Sequence, residues 1–287
     1  MPVARPRRSC RSPRLALRPE ADAARPCYTA TVAYWAAPWR RLQSVKGERR
    51  GTGWGPYVLP YASFLLLGEV QGRMPHDIAP YLRIFRVVLT AALLLFFFLR
   101  GDYPELKGWR PTLYGVVQDV LMGLATTVLW VAPYVIFPSL PRPDAQEAFN
   151  PYALGTSFAP AFVALRFAGF AAVTPFMEEL FIRSFLIRYL DVFDTSEDFR
   201  DVPMARFRWR SFLGTALAFT ISHLPWEYPV AAATGLLWNL WLYRRKHIGS
   251  LVLVHAVTNG SLFLLVALGS GRLHDLDGRI LDLWYFL

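Results

Sequence analysis

Long apolar windows are the feature that most restricts how this chain can fold. Ile84–Leu99, Leu113–Phe137 and Ser250–Leu268 each carry at most one charged residue, and a helix needs about 20 residues to cross a bilayer. The apolar runs are continuous rather than alternating, which argues against a transmembrane β-barrel. The chain is 54% hydrophobic and 18% charged, whereas a soluble domain carries roughly 25% charged residues. We therefore predict a polytopic helical membrane protein.

The predicted fold is an all-α bundle of about seven transmembrane helices, with six to eight as the range. The predicted helices cover residues 55–68, 84–99, 113–137, 157–175, 211–224, 229–243 and 250–268. We expect the fourth to continue past Pro175 as the helix that carries Glu178 and Glu179. We divide the chain into a basic tail (1–50), N-terminal transmembrane helices (51–150), a core that carries the polar motifs (151–270) and a C-terminal tail (271–287).

The basic residues predict the orientation in the membrane. Residues 1–50 contain 12 Lys or Arg and 3 Asp or Glu, so this tail holds most of the net charge of +10. It lacks the apolar region of a secretory signal, and a disordered tail, an over-extended start and a transit peptide stay open. Further basic groups follow the second and sixth predicted helices and precede the fifth. Alternation from a cytoplasmic N-terminus places all of them on one side. The charge is not evidence of nucleic-acid binding.

Three groups of polar residues interrupt the apolar helices. They are Glu178, Glu179 and Arg183; Phe219 and His223; and His255 and Asn259. Within each group a spacing of four residues places two side chains on one helix face. Ionisable residues at membrane depth are functional candidates by default. If the three faces meet, a carboxylate, two imidazoles and a carboxamide surround one cavity, a set that can carry out hydrolysis.

Each group also has a structural interpretation. Glu179 and Arg183 can form an ion pair that only stabilises the fold. A buried His can join two helices by a hydrogen bond, and Asn259 can likewise hydrogen-bond to a neighbouring helix. Arg166 and Asp119 also lie in apolar windows, where snorkelling or a buried partner explains them. Glu227 can be a second acid, but we favour an interfacial charge.

The three motifs together resemble the CPBP family of intramembrane proteases. They read EExxxR, FxxxH and HxxxN, and the resemblance extends over about residues 157–268. The stretches "GDYPEL" and "LPYASFLLLGEVQG" are further similar to a bacterial subgroup, the CAAX protease-related proteins associated with exosortase and PEP-CTERM sorting.

The resemblance implies an endopeptidase that hydrolyses a peptide bond of a membrane-associated protein. Glu178 would activate the attacking water with help from His223, while His255 and Asn259 would stabilise the oxyanion. Glu179 and Arg183 would brace the site, and Phe219 would shape the cavity. The implied partners are the lipid bilayer and a membrane-associated protein or peptide substrate.

Metal dependence stays open at the level of the sequence. Glu178, His223 and His255 are suitable ligand types for Zn²⁺, but no HExxH pair supports such a site. Two other functions also stay open: a non-catalytic immunity, assembly or sorting partner that retains the fold, and a transporter. A transporter would be supported by an inverted repeat, and we find no repeat in the sequence.

Overall fold

The computed structural model describes residues 53–141, 143, 149, 151–281 and 283–287. The predicted disorder of residues 1–50 lies outside these residues. Within them the chain forms seven helices and no β-strand, as the sequence predicts. We label them α1 (Gly55–Gly72), α2 (Ala79–Arg100), α3 (Leu113–Ile136), α4 (Ala159–Val192), α5 (Trp209–Ile221), α6 (Tyr228–Arg245) and α7 (Ile248–Gly269).

Local sequence explains where several helices begin and end. The Thr112 hydroxyl accepts a hydrogen bond from the Gly115 amide at 3.1 Å and caps the start of α3. α2 ends at Gly101, whose φ of 81° is a left-handed conformation that glycine adopts without strain. At the start of α7 the imidazole of His247 accepts a hydrogen bond from the Gly249 amide at 3.0 Å. These caps fix the short turns that connect the spans.

Four helices are long and apolar enough to cross a membrane: α2, α3, α4 and α7. α5 is different, because its 13 residues span only about 20 Å, less than the about 30 Å of a bilayer core. The turn after α5, residues 222–227, carries His223. We therefore expect this turn to lie within the depth of the membrane rather than at its surface.

α4 is one continuous helix of 34 residues, so the prediction that it continues past Pro175 is confirmed. Two parts of it are π-helical, Gly169–Val173 and Glu179–Leu186. In a π-helix each amide bonds to the carbonyl five residues earlier, and such segments are frequent at functional sites. The sequence analysis did not predict them.

The C-terminal tail packs onto the bundle. Leu281, Leu283 and Phe286 are buried in the same core as Tyr134 of α3. The Leu276 amide donates a hydrogen bond to the carbonyl of Val135 at 3.3 Å, which joins the tail to the end of α3. The tail therefore covers the end of the bundle at which α3 finishes.

Candidate active site

A proline and an asparagine together shape the first π-helical part of α4. The Thr174 amide bonds to the Gly169 carbonyl, five residues earlier. The next such bond would join Pro175 to Phe170, but proline has no amide hydrogen. The Asn259 side chain supplies the missing donor, because its Nδ2 donates to the Phe170 carbonyl at 2.8 Å. This bond links α7 to α4 one turn from His255.

The centre of the site is a buried ion pair within α4. Arg183 Nη1 lies 3.1 Å from Glu179 Oε1, and neither side chain is exposed to solvent. The same carboxylate oxygen lies 2.9 Å from Nδ1 of His255 on α7. A carboxylate can only accept hydrogen bonds, so this contact assigns the hydrogen to Nδ1 of the imidazole. Glu179 thus fixes the orientation of both its helix neighbour and His255.

Arg183 is also held by α5 and α6. Its Nε donates to Asn239 Oδ1 at 3.3 Å, and its guanidinium carbon lies 4.4 Å from the centre of the Phe219 ring and 5.5 Å from that of Trp238. Asn239 in turn donates to the Thr215 hydroxyl at 2.9 Å. Cation–π contacts between desolvated groups stabilise by about 2 kcal/mol. Arg183 therefore joins α4, α5 and α6.

Glu178 points toward the other side of the His255 ring. Its Oε2 lies 4.0 Å from His255 Nε2, is buried and has no hydrogen-bond partner. A gap of this length is too long for a direct hydrogen bond and suits a bridging water. His255 therefore lies between the two adjacent glutamates, bonded to Glu179 and facing Glu178.

His223 lies at the end of α5, in contact with aromatic rings. Its Nδ1 is 2.6 Å from the Phe219 carbonyl, and its ring centre is 4.5 Å from that of Phe219 and 5.4 Å from that of Trp130. The carbonyl is an acceptor, which leaves Nε2 without a hydrogen in the neutral ring. The described part of the chain shows no hydrogen bond or ion pair between His223 and Glu178.

Glu227 is closer to the site than we expected from its sequence position. Its carboxylate accepts a hydrogen bond from the Leu224 amide at 3.0 Å, which closes the turn after α5. It also interacts electrostatically with both His223 and Glu178. Glu227 therefore lies within electrostatic range of both candidate catalytic residues, and its interpretation as an interfacial charge stays a prediction.

The zinc site considered from sequence does not form in the structure. Among the residues that the structure describes, no group of three His, Cys, Asp or Glu side chains is arranged to hold a metal ion. Nδ1 of each imidazole is engaged, by Glu179 in His255 and by a backbone carbonyl in His223, so only Nε2 of each ring is available as a ligand. Glu178, His223 and His255 therefore do not constitute a metal centre here, and we derive no step from one.

Two residues that support the site were missed. Asn239 and Trp238 both lie in α6, and Trp238 packs on His255 with ring centres 4.6 Å apart. Asn239 in the apolar run "GLLWNLW" was the available signal, because a carboxamide in a membrane helix needs a partner.

A buried partner, rather than snorkelling, explains Asp119 in its apolar window. It is fully buried, and its Oδ1 accepts hydrogen bonds from Trp241 Nε1 at 2.9 Å and Arg245 Nε at 3.0 Å. The Ser250 hydroxyl donates to the same oxygen at 2.5 Å. Asp119 therefore joins α3, α6 and α7, away from the candidate active site.

A helical membrane protein with a buried glutamate–histidine–arginine cluster is the class that the fold and the site define. Residues 160–261 match the family model described as Rce1-like, type II CAAX prenyl endopeptidase Rce1-like. The matched range contains all seven residues of the three motifs. The match supports the resemblance to the CPBP family and, at the level of that family, a membrane-embedded endopeptidase. No curated protein and no solved structure matches the chain.

Proposed function

We propose that this protein is an intramembrane endopeptidase in which Glu178 activates water. The observation that carries the proposal is the position of His255, which is bonded to Glu179 through Nδ1 and faces the unpartnered Oε2 of Glu178 through Nε2. The 4.0 Å gap between these two atoms has the width at which a water can be held by both groups.

In the proposed reaction Glu178 takes a proton from this water as its oxygen attacks the peptide carbonyl carbon. Nε2 of His223, which the Phe219 carbonyl orients through Nδ1, assists in polarising the water. The protonated Glu178 then transfers the proton to the leaving amine nitrogen as the C–N bond breaks. General acid–base catalysis of this kind contributes about 10²–10⁴ in rate.

His255 and Asn259 would hold the oxyanion. Because Nδ1 of His255 is already used by Glu179, His255 would contact the oxyanion through Nε2 after the water oxygen has moved onto the carbonyl carbon. Asn259 Nδ2 carries two hydrogens, and one of them is used on the Phe170 carbonyl. The second is available for the oxyanion. Removing one oxyanion donor typically lowers kcat by about 10²–10³.

The proposed substrate is a protein at the membrane, and the proposed location is a bacterial inner membrane with the N-terminus in the cytoplasm. The narrower likeness of "GDYPEL" and "LPYASFLLLGEVQG" to the exosortase-associated subgroup favours a sorted membrane protein as the substrate. Cells that produce the protein together with candidate PEP-CTERM substrates would test this assignment. Absence of cleavage there, with cleavage of other membrane proteins, would reject the subgroup but not the chemistry.

The deciding experiment compares protein termini in membranes by mass spectrometry. Membranes containing the wild type are compared with Glu178→Ala and with the control Glu197→Ala, an exposed glutamate in the loop after α4, at matched abundance. New termini in the wild type and control alone would establish proteolysis and identify the substrate. Identical termini in all three would favour the alternative, a non-catalytic partner in which the Glu179–Arg183–His255 contacts only stabilise the fold.

A further inference from the structure

Three arginines meet at one end of the bundle, and no Asp or Glu side chain of the described residues pairs with them. Arg83 and Arg86 lie in the first two turns of α2, and Arg166 lies in the second turn of α4. We call these three residues the arginine cluster. All three are partly buried, and their guanidinium groups are close enough to repel one another. Their charges are therefore not neutralised by an acidic side chain within the described residues.

Aromatic rings, rather than acids, surround the arginine cluster. Arg83 and Arg166 both lie over the Phe149 ring, at 5.2 and 5.9 Å from its centre. Arg86 lies 4.2 Å from the centre of the Phe64 ring on α1. The rings contribute cation–π attraction but accept no conventional hydrogen bond. Within the described residues, the side chains of the cluster make one hydrogen bond, from Arg166 to the main-chain oxygen of Leu287, the last residue of the sequence.

Some donors of the arginine cluster are left unsatisfied. Nε of Arg86 and Nε of Arg166 are both buried without a hydrogen-bond partner. A buried donor without a partner costs about 1–3 kcal/mol, and more when it is charged. Three neighbouring cations with unused donors are therefore an arrangement that an anion would stabilise.

The arginine cluster also lies at a definite depth. Val87 of α2 packs against Gly169 of α4. Further along the same two helices, Phe97 of α2 shares a buried cluster with Leu180 of α4. The two spans therefore run parallel and begin on the same side of the membrane. The cluster lies about 6–11 Å from the first residue of each helix. This is the end of a span, where lipid headgroups lie, and the positive ends of both helix dipoles point to it.

We propose that the arginine cluster binds the phosphate group of an anionic membrane phospholipid. A guanidinium group recognises phosphate through two parallel hydrogen bonds, and basic pockets between transmembrane helices hold lipid headgroups in this way. The flanking phenylalanines suit the adjacent glycerol and acyl chains. The site is separate from the candidate active site, since Arg166 and Glu178 are twelve residues apart on α4, or about 18 Å.

The test uses the purified, delipidated full chain and soluble short-chain lipids. Dioctanoyl phosphatidylglycerol, dioctanoylglycerol without phosphate, and inorganic phosphate are each titrated, and binding is read by native mass spectrometry and by the unfolding temperature. The variants are Arg83→Gln/Arg86→Gln and the charge-retaining Arg83→Lys/Arg86→Lys. The control is Arg73→Gln. Arg73 is an exposed arginine that directly follows α1 and pairs with Glu69.

Phosphatidylglycerol is expected to bind and stabilise the wild type and the control, and dioctanoylglycerol is not. The glutamine variant should bind at least about tenfold more weakly, because two charged donor groups are lost. The lysine variant, which retains the charge but not the forked guanidinium geometry, should also bind more weakly than the wild type.

Equal phosphatidylglycerol binding by the wild type and the lysine and glutamine variants would overturn the proposal. An equal effect of dioctanoylglycerol would overturn it too, because the phosphate would then contribute nothing. If inorganic phosphate alone binds with the same dependence on Arg83 and Arg86, the lipid assignment is wrong and the ligand comes from solution. Proteolysis is not a readout, so failure here leaves the proposed function unaffected.

Discussion

At the scale of single residues, the adjacent glutamates of α4 have different surroundings. Glu179 is fully buried and bonded to Arg183 and His255. Glu178 is partly accessible, and its Oε2 has no hydrogen-bond partner. These surroundings agree with the proposed roles, in which Glu179 stabilises the fold and Glu178 activates water.

We expect Glu178→Gln to abolish proteolysis and leave the unfolding temperature nearly unchanged. Glu179→Gln should instead lower the free energy of unfolding by about 3–5 kcal/mol, because it leaves Arg183 as an uncompensated buried charge. Thermal unfolding in detergent, with a cleavage assay on the same preparations, measures both. The reverse assignment, with Glu178 as the stabilising residue, would contradict the proposed roles.

Asn259 is predicted to have a structural role that Pro175 makes necessary. Asn259→Ala should cost about 1–3 kcal/mol, because the Phe170 carbonyl loses its donor. Pro175→Ala restores a backbone amide in α4, so in the double variant the loss should be smaller than in Asn259→Ala alone. If the two effects simply add in a double-mutant cycle of thermal unfolding, Asn259 does not replace the amide that proline lacks.

At the scale of helices, polar contacts fix the positions that apolar packing leaves open. Two apolar helices gain nothing from hiding their surfaces from lipid, so hydrogen bonds and close packing decide their arrangement. Arg183 joins α4 to α5 and α6, and Asp119 joins α3 to α6 and α7. The two connections meet at α6.

Asp119→Ala is expected to lower the free energy of unfolding by about 3–5 kcal/mol, as for a broken buried pair. Adding Arg245→Met in the same chain should recover part of the loss, because the unpaired cation is then removed. Asp77→Ala, at an exposed aspartate before α2, is the control and should change stability by less than about 0.5 kcal/mol. A full loss that Arg245→Met does not reduce would show that Asp119 stabilises the fold by another route.

The cap of α7 predicts a dependence of stability on pH. Burial lowers the pKa of His247, and its Nδ1 must be unprotonated to accept the Gly249 hydrogen bond. The unfolded chain therefore binds a proton before the folded protein does, and stability falls as the pH decreases below the ordinary histidine value of about 6.5. His247→Asn keeps a capping oxygen that does not titrate. Thermal unfolding between pH 7 and 5 should show a smaller decrease in this variant, and equal slopes would exclude His247 as the source.

At the scale of the whole molecule, seven alternating helices place the loop before α2 and the C-terminal tail on one side. The proposed orientation then places the loop after α4 on the other, cytoplasmic side. In a variant without Cys10 and Cys27, cysteines placed at Asp77 and Asp277 should react with an impermeant maleimide in intact cells. A cysteine at Glu197 should react only after lysis. All three positions are exposed, so labelling of Glu197→Cys in intact cells would contradict this orientation.

Much of this architecture was determined by the sequence itself. Apolar runs of bilayer length specify helices wherever they occur, because backbone polar groups in lipid must bond within their own segment. The spacing of four residues in EExxxR, FxxxH and HxxxN likewise placed each polar pair on one face of its helix. These are local properties, so the number of helices and the candidate residues could be predicted from the chain alone.

Which residues actually meet was decided by the tertiary structure. The contact of His255 with Glu179 joins residues 76 positions apart, and the contact of Asn259 with the Phe170 carbonyl joins residues 89 positions apart. The arginine cluster likewise forms only because α2 and α4 pack in parallel. Such contacts depend on how helices rotate and cross, and that is set by many packing contacts together rather than by any one segment of the sequence.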